Sequence, residues 1–95
     1  MRDYELTMVL TPKATEEGEP TFFDKVSEQI TGKGGVISDV DNWGRRRLAY
    51  PIEKYMEGDY ILARVQLEPE WIPEFEANWE LSEDVLRYLF IRTDG

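Results

Sequence analysis

Three stretches of this chain alternate apolar and other side chains with a period of two, and this pattern limits the folds that the chain can adopt. Successive side chains of a strand point to opposite faces, so such a period predicts half-buried β-strands. Pro12 and Pro69 follow two of the stretches and remove a backbone donor where each strand should end. The predicted strands are 4–10, 60–67 and 85–92.

A fourth strand is predicted over residues 36–43, and the pattern allows it to continue through Gly44 to Tyr50. A glycine within a strand indicates a bulge or a bend. Pro51 cannot donate a hydrogen bond to a neighbouring strand, so this end should lie at a sheet edge or in a turn. We expect residues 53–59 to connect this strand to the next.

Two further stretches carry apolar side chains at helical spacing. The first should end at Gly32, and its start is predicted near Pro20, with Thr15 as the alternative. The second should run from about residue 71 to 81, with Pro73 in its first turn because proline is tolerated only there. The apolar stripes are Phe22, Phe23, Val26 and Ile30 in the first helix and Ile72, Phe75 and Trp79 in the second.

The order strand, helix, strand, strand, helix, strand predicts one α+β domain spanning residues 1–95. It is typical of the ferredoxin-like βαββαβ sandwich, in which a four-stranded antiparallel sheet carries both helices on one face. Right-handed crossovers then place the first and third strands in the middle of the sheet. The face left open is more apolar than plain solvent surface, which indicates a partner. It should carry Thr7, Val9, Tyr60, Leu62, Arg64, Arg87 and Leu89.

The composition excludes several classes of function. With neither cysteine nor histidine, the 95-residue chain offers no disulfide, Cys/His zinc site, cysteine nucleophile or histidine acid–base catalyst. No phosphate-binding loop or calcium-binding loop is present, so we expect no catalytic residue, metal, cofactor or small-molecule substrate. No apolar run approaches the ~20 residues that span a bilayer, so we expect a cytoplasmic protein without a membrane partner.

The charge is strongly acidic overall but unevenly distributed. The formal net charge of −9 argues against a nucleic-acid partner when taken alone, since phosphate binding needs clustered cations. Residues 65–86 contain acids and no basic residue, whereas Arg45, Arg46 and Arg47 are consecutive. We therefore expect an acidic side and one compact basic site.

The arginine cluster allows two opposed interpretations. On a strand, Arg45 and Arg47 point one way and Arg46 the other, and guanidinium groups suit phosphates and stacked bases. Trp43 and Tyr50 add flat rings beside them. Alternatively, the arginines only pair with the surplus carboxylates or protect a strand edge from aggregation. The residues alone favour neither.

In the run from Gly44 to Ile52, a glycine and basic residues precede Leu-Ala-Tyr-Pro-Ile. The chain starts Met1-Arg2-x-Tyr4-Glu5, and the segments 58–60 and 84–88 read Gly-Asp-Tyr and Asp-Val-Leu-Arg-Tyr. In these segments, and most specifically in the run 44–52, the chain resembles the S-six family of bacterial small-subunit ribosomal proteins. The resemblance covers nearly the whole chain.

This resemblance implies a ferredoxin-like, non-catalytic protein of the small ribosomal subunit. It implies binding to the central domain of the small-subunit ribosomal RNA, as a heterodimer with the S-eighteen protein. The residues that would contact RNA are Arg2, Arg45, Arg46, Arg47 and Arg87. Those that would contact the partner protein are Leu48, Tyr50 and Ile52.

Two other functions are compatible with the same fold. A free-standing RNA-recognition module needs stacking aromatic residues on its third strand, and 58–65 offers one suitable ring, Tyr60. A ligand-binding regulatory domain would need a site that the sequence does not display, although fold alone does not exclude it.

Overall fold

The computed structural model describes residues 1–12 and 22–93, which form four strands and two α-helices. The start of the first helix, predicted near Pro20 or Thr15, lies outside the described residues. A short 3-10 turn, Pro69–Trp71, precedes the second helix. The elements are β1 (Arg2–Leu10), α1 (Phe22–Gly32), β2 (Val36–Ile52), β3 (Tyr55–Leu67), α2 (Ile72–Glu80) and β4 (Val85–Arg92).

The four strands form one antiparallel sheet in the order β2-β3-β1-β4. The first and third strands are therefore central, as predicted, and the βαββαβ arrangement is confirmed. Leu6 pairs with Ala63 on one side and with Phe90 on the other, which fixes the register of the three strands that carry the core.

Both helices pack on one face of the sheet because their apolar stripes and the inward side chains of the strands bury one another. Leu6, Met8, Ile61 and Val65 are all buried on this face, with Tyr88 and Phe90 packed against them. Trp79 of α2 stacks on Phe90, with 5.6 Å between the ring centroids. The indole N–H of Trp79 donates to Gln29 Oε1 of α1 at 3.1 Å, so one side chain joins both helices to the sheet.

The termini of the helices agree with the glycine and proline positions. Gly34 adopts a left-handed φ of 83°, and the Gly35 N–H closes the end of α1 by donating to the Ile30 carbonyl at 3.0 Å. Pro73 lies in the first turn of α2, as predicted.

The predicted connection over residues 53–59 is wrong. β2 continues through Pro51 to Ile52 and β3 already begins at Tyr55, so only Glu53 and Lys54 form the turn. Both have positive φ, 51° and 74°, which is the geometry of a two-residue hairpin turn with a right-handed twist. Neither residue type signals that conformation, so the turn could not be predicted from local residue preferences.

No helix in the described part of the chain is both long enough and apolar enough to cross a membrane.

Candidate nucleic-acid interface

The β2–β3 hairpin ends in an arm that extends past the rest of the sheet. We call residues 45–58 the hairpin arm. Arg47 of β2 pairs with Glu57 and Ile52 with Tyr55, so β2 advances further than β3 between these two pairs. The register shift lies in the segment 48–51. The surplus chain on β2 forces the arm to curve, because a strand with extra residues bends and twists more strongly.

The arm curves over the open face of the sheet. Tyr50 lies under the Arg87 guanidinium, whose central carbon is 5.1 Å from the ring centroid. β2 and β4 are the opposite edges of the sheet, so this contact crosses the open face. Leu48, on the same side of the arm, retains only 9% exposure and is therefore packed inside the protein.

The three consecutive arginines do not present equivalent groups. Arg46 pairs with Gly58 and shares the open-face side of the arm with Leu48 and Tyr50, whereas Arg45 and Arg47 point to the other side. Arg45 Nη2 contacts Asp59 Oδ2 at 3.3 Å, and Asp59 is buried. Arg46 and Arg47 are exposed, and within the described residues no ion pair engages them. They are therefore the two members of the cluster best placed to bind phosphate.

Arg87 lies at the end of a row of residues that crosses all four strands. Gly44 pairs with Tyr60, Tyr60 with Val9, and Val9 with Arg87. Tyr60 and Arg87 line both a cavity of about 470 Å³ over the sheet and one of about 210 Å³ beneath the arm. The two cavities thus adjoin at these two residues, and we call the pair the groove; Arg87 is the one arginine among the residues that line it.

Arg2 lies far from this groove. It pairs with Leu67 at the end of β3, whereas Arg45 pairs with Asp59, eight residues earlier in that strand. The intervening eight steps along a strand correspond to roughly 27 Å at about 3.4 Å per residue. Any RNA contact of Arg2 is therefore separate from those of the hairpin arm.

The predicted partner-binding residues share one face of the arm but differ in accessibility. Leu48 is buried, Ile52 is half-buried, and Tyr50 is 56% exposed. All three line the smaller cavity together with Tyr60 and Arg87. Of the three, Tyr50 offers the most surface to a partner.

A group of acidic residues lies on the helix side of the molecule: Glu70, Glu74, Glu76 and Glu80. Lys33 bridges to Glu74 at 3.4 Å and stands over the Trp71 ring, while the Tyr88 hydroxyl donates to Glu80 at 2.5 Å. The Glu80 carboxylate, through this hydrogen bond and its charge, raises the pKa of Tyr88 to about 12. The negative charge of these carboxylates disfavours phosphate on the helix side.

The open-face contact between the arm and β4 could not be read from the sequence. Arg87 and Tyr50 lie far apart in the chain, and neither carries a local signal for the other.

No group of acidic residues in the described part of the chain is arranged to hold a metal ion. The arrangement can bind phosphates through guanidinium groups and stack planar groups on exposed rings.

Comparison with known proteins decides the family. The sequence model of the family Ribosomal protein S6 matches residues 3–92. The chain belongs to this family. Membership in the ribosomal protein S6 family confirms the resemblance of the segment 44–52, and it confirms that the chain is not an enzyme, because these proteins are ribosomal.

Relatives in the ribosomal protein S6 family match along almost the whole chain. Small ribosomal subunit protein bS6 of Caldanaerobacter subterraneus subsp. tengcongensis is 42% identical over 99% of both chains. The protein of the same name from Dictyoglomus turgidum is 37% identical over 94% of this chain and 92% of its own. The crystal structure of 30S ribosomal protein S6 from Thermotoga maritima superposes with a TM-score of 0.86 at 27% identity. It covers 97% of this chain and 87% of its own. The fold is thus that of the family.

Proposed function

We propose that this protein binds the central domain of the small-subunit ribosomal RNA together with the S-eighteen protein, through the hairpin arm and the adjoining open face. The observation that carries the proposal is the placement of Arg46 and Tyr50 on one side of the arm, beside the groove that ends at Arg87. Relatives named as proteins of the small ribosomal subunit place the role on the ribosome, and so in the bacterial cytoplasm.

The two kinds of contact are adjacent and chemically distinct. Arg46 and Arg47 supply guanidinium groups for phosphate oxygens, which give affinity with little sequence readout. Tyr50, Ile52 and the groove offer apolar surface for the partner protein. Arg2, at the far end of β1, supplies a separate phosphate contact, and Arg45, held by Asp59, mainly orients the arm.

The net charge of −9 is compatible with this role if the partner contributes cations. The acidic side chains on the helix side repel phosphates there, so the arginines contribute to the docking geometry as well as to the affinity. RNA binding should therefore be weak for the protein alone and tight for the heterodimer.

The test is equilibrium binding to the central-domain RNA fragment, with and without the S-eighteen protein, over a range of salt concentrations. The variant Arg46→Gln/Arg47→Gln should bind more weakly and with a flatter salt dependence. Log affinity falls by roughly 0.7–0.9 per neutralised phosphate per tenfold increase in salt. The matched control is Glu76→Gln on the helix side, which should leave binding unchanged.

The possible results distinguish failure of the phosphate role from failure of the proposed function. Loss of the salt slope in the arginine variant with an unchanged control supports the phosphate role. An unchanged slope in the arginine variant contradicts that role. If the folded wild-type protein binds no RNA with the partner present, the proposed function is wrong, whatever the variants do.

A further inference from the structure

Trp43 interrupts the regular alternation of side chains between the two faces of β2. The pairing of β2 with β3 shifts between Asn42 and Gly44, so Trp43 is the extra residue of a β-bulge, and Gly44 beside it has φ 78°. Its side chain is 47% exposed and is not a member of the buried core cluster. Trp79, by comparison, is 1% exposed. The fold does not need the Trp43 ring for its core.

The exposed ring is nevertheless fixed in place. The indole N–H of Trp43 donates to Asp41 Oδ2 at 2.9 Å, and the Gly44 N–H donates to Asn42 Oδ1 at 2.8 Å. The first bond orients the ring and the second holds the bulge beneath it. A side chain whose orientation is set before binding loses less rotational freedom when a ligand arrives. The polar atom of the ring is occupied, so its flat faces are what it can offer.

The charges around Trp43 favour a nucleotide over a protein. Arg46 follows three residues on, roughly 10 Å along the strand at about 3.4 Å per residue, and its guanidinium is exposed. A basic protein segment would be repelled by the three arginines, and an apolar anchor would find no pocket, because Asp41, Asn42 and Arg45 are exposed polar neighbours. A phosphodiester chain can lie along the arginines.

We propose that Trp43 is a stacking platform for one unpaired base of the bound RNA, with the adjacent phosphates on the arginine side. This rests on the proposed function and adds to it a site for a nucleobase. The Asp41 carboxylate keeps phosphates away from its edge of the ring. A base can stack on the ring only when it is not stacked within a helix, so the bound base is single-stranded. Any of the four bases can occupy the site, since every base has a flat face.

The test uses the full chain with the S-eighteen protein and the central-domain RNA. Trp43→Leu removes the ring and should weaken RNA binding about tenfold, while the salt dependence stays unchanged because no phosphate contact is lost. Trp43→Phe keeps a flat ring and should retain most of the affinity. Arg46→Gln is the matched control, with the opposite signature of a flattened salt dependence.

A second experiment places a single abasic nucleotide at each unpaired position of the RNA in turn. It tests the proposal with the wild-type protein and so does not depend on whether the leucine variant folds. One position should weaken wild-type binding about tenfold and leave Trp43→Leu binding unchanged. The absence of any such position overturns the proposal, as does full RNA affinity of Trp43→Leu. A loss of S-eighteen binding without RNA also overturns it, by making Trp43 a protein contact.

These results are distinguishable from failure of the proposed function. Full affinity of Trp43→Leu with weakened binding of Arg46→Gln removes the stacking site and leaves the RNA-binding role intact. No binding by the wild-type heterodimer overturns both.

Discussion

The Arg87 guanidinium lies over the Tyr50 ring, with 5.1 Å between its central carbon and the ring centroid. Tyr50 belongs to one edge strand of the sheet and Arg87 to the other. The contact therefore joins the hairpin arm to β4 across the open face, and both residues line the cavity beneath the arm.

Replacing Arg87 with leucine should loosen the arm. An exposed cation–aromatic contact is worth about 0.5–1 kcal/mol, so backbone amides of residues 48–57 should exchange severalfold faster with deuterium while the core amides do not. The matched control is Arg64→Leu on the same face, which touches Glu5 and not the arm. Equal exchange in the two variants would show that Arg87 does not hold the arm.

Arg45 and Arg46 should separate stability from RNA binding. Arg45→Gln leaves the buried Asp59 carboxylate without its 3.3 Å partner, so the free energy of unfolding should fall by about 1 kcal/mol. Arg46→Gln should leave that free energy unchanged and weaken RNA binding instead. Urea denaturation and the RNA binding assay measure the two effects. If both variants lose the same stability, the distinction between the arginines is wrong.

Gly58 should not tolerate a side chain. A Cβ there would lie 2.5 Å from Val9 Cγ1, closer than real contacts allow, and a tight 3.2 Å from the Leu10 carbonyl oxygen. Gly58→Ala should lower the free energy of unfolding by about 1–3 kcal/mol through overpacking. Gly32→Ala, where a Cβ meets nothing within 4 Å, is the control and should not destabilise the fold. Denaturant midpoints of the two variants decide the point.

The Tyr88–Glu80 pair should make stability fall in alkaline solution. The pKa of Tyr88 is raised from 10.0 to about 12, mainly by its hydrogen bond to Glu80. Between these pH values the unfolded chain releases the phenolic proton while the folded protein keeps it, so stability falls as the pH rises through this window and is undiminished below pH 10. Tyr88→Phe removes this dependence.

Urea midpoints measured from pH 8 to 12 for the wild-type protein and Tyr88→Phe check this prediction. Other tyrosines and lysines titrate in the same range in both proteins, so the difference between the two curves isolates Tyr88. Parallel curves would show that Glu80 has no effect on the phenol.

The sheet could be predicted from the sequence because each strand is marked by the pattern of its own consecutive residues. The period of two marks β1 and β4 well, and apolar stripes mark the helices. Order and handedness rules then place β1 and β3 in the centre. The bend at Gly44 was also predictable, since a glycine within a strand indicates a bulge.

The shape of the candidate site could not be predicted in the same way. Glu53 and Lys54 both adopt positive φ in the turn, although neither residue type favours that conformation. The curvature of the arm depends on a register shift between two strands, and the Tyr50–Arg87 contact depends on that curvature. The run of arginines identified the location, whereas the difference between Arg45 and Arg46 arises from Asp59 on another strand.

The two-residue turn at Glu53 and Lys54 also bears on the order in which the molecule can assemble. β2 and β3 are joined by so short a turn that their pairing closes almost no loop, so this hairpin can form soon after both strands have been synthesised. β1, made first, obtains its partner β4 only once nearly all the chain between Leu10 and Val85 has left the ribosome. β1 therefore has no partner strand until β3 has been made and only one until β4 follows, so the last strand made completes the pairing of the first.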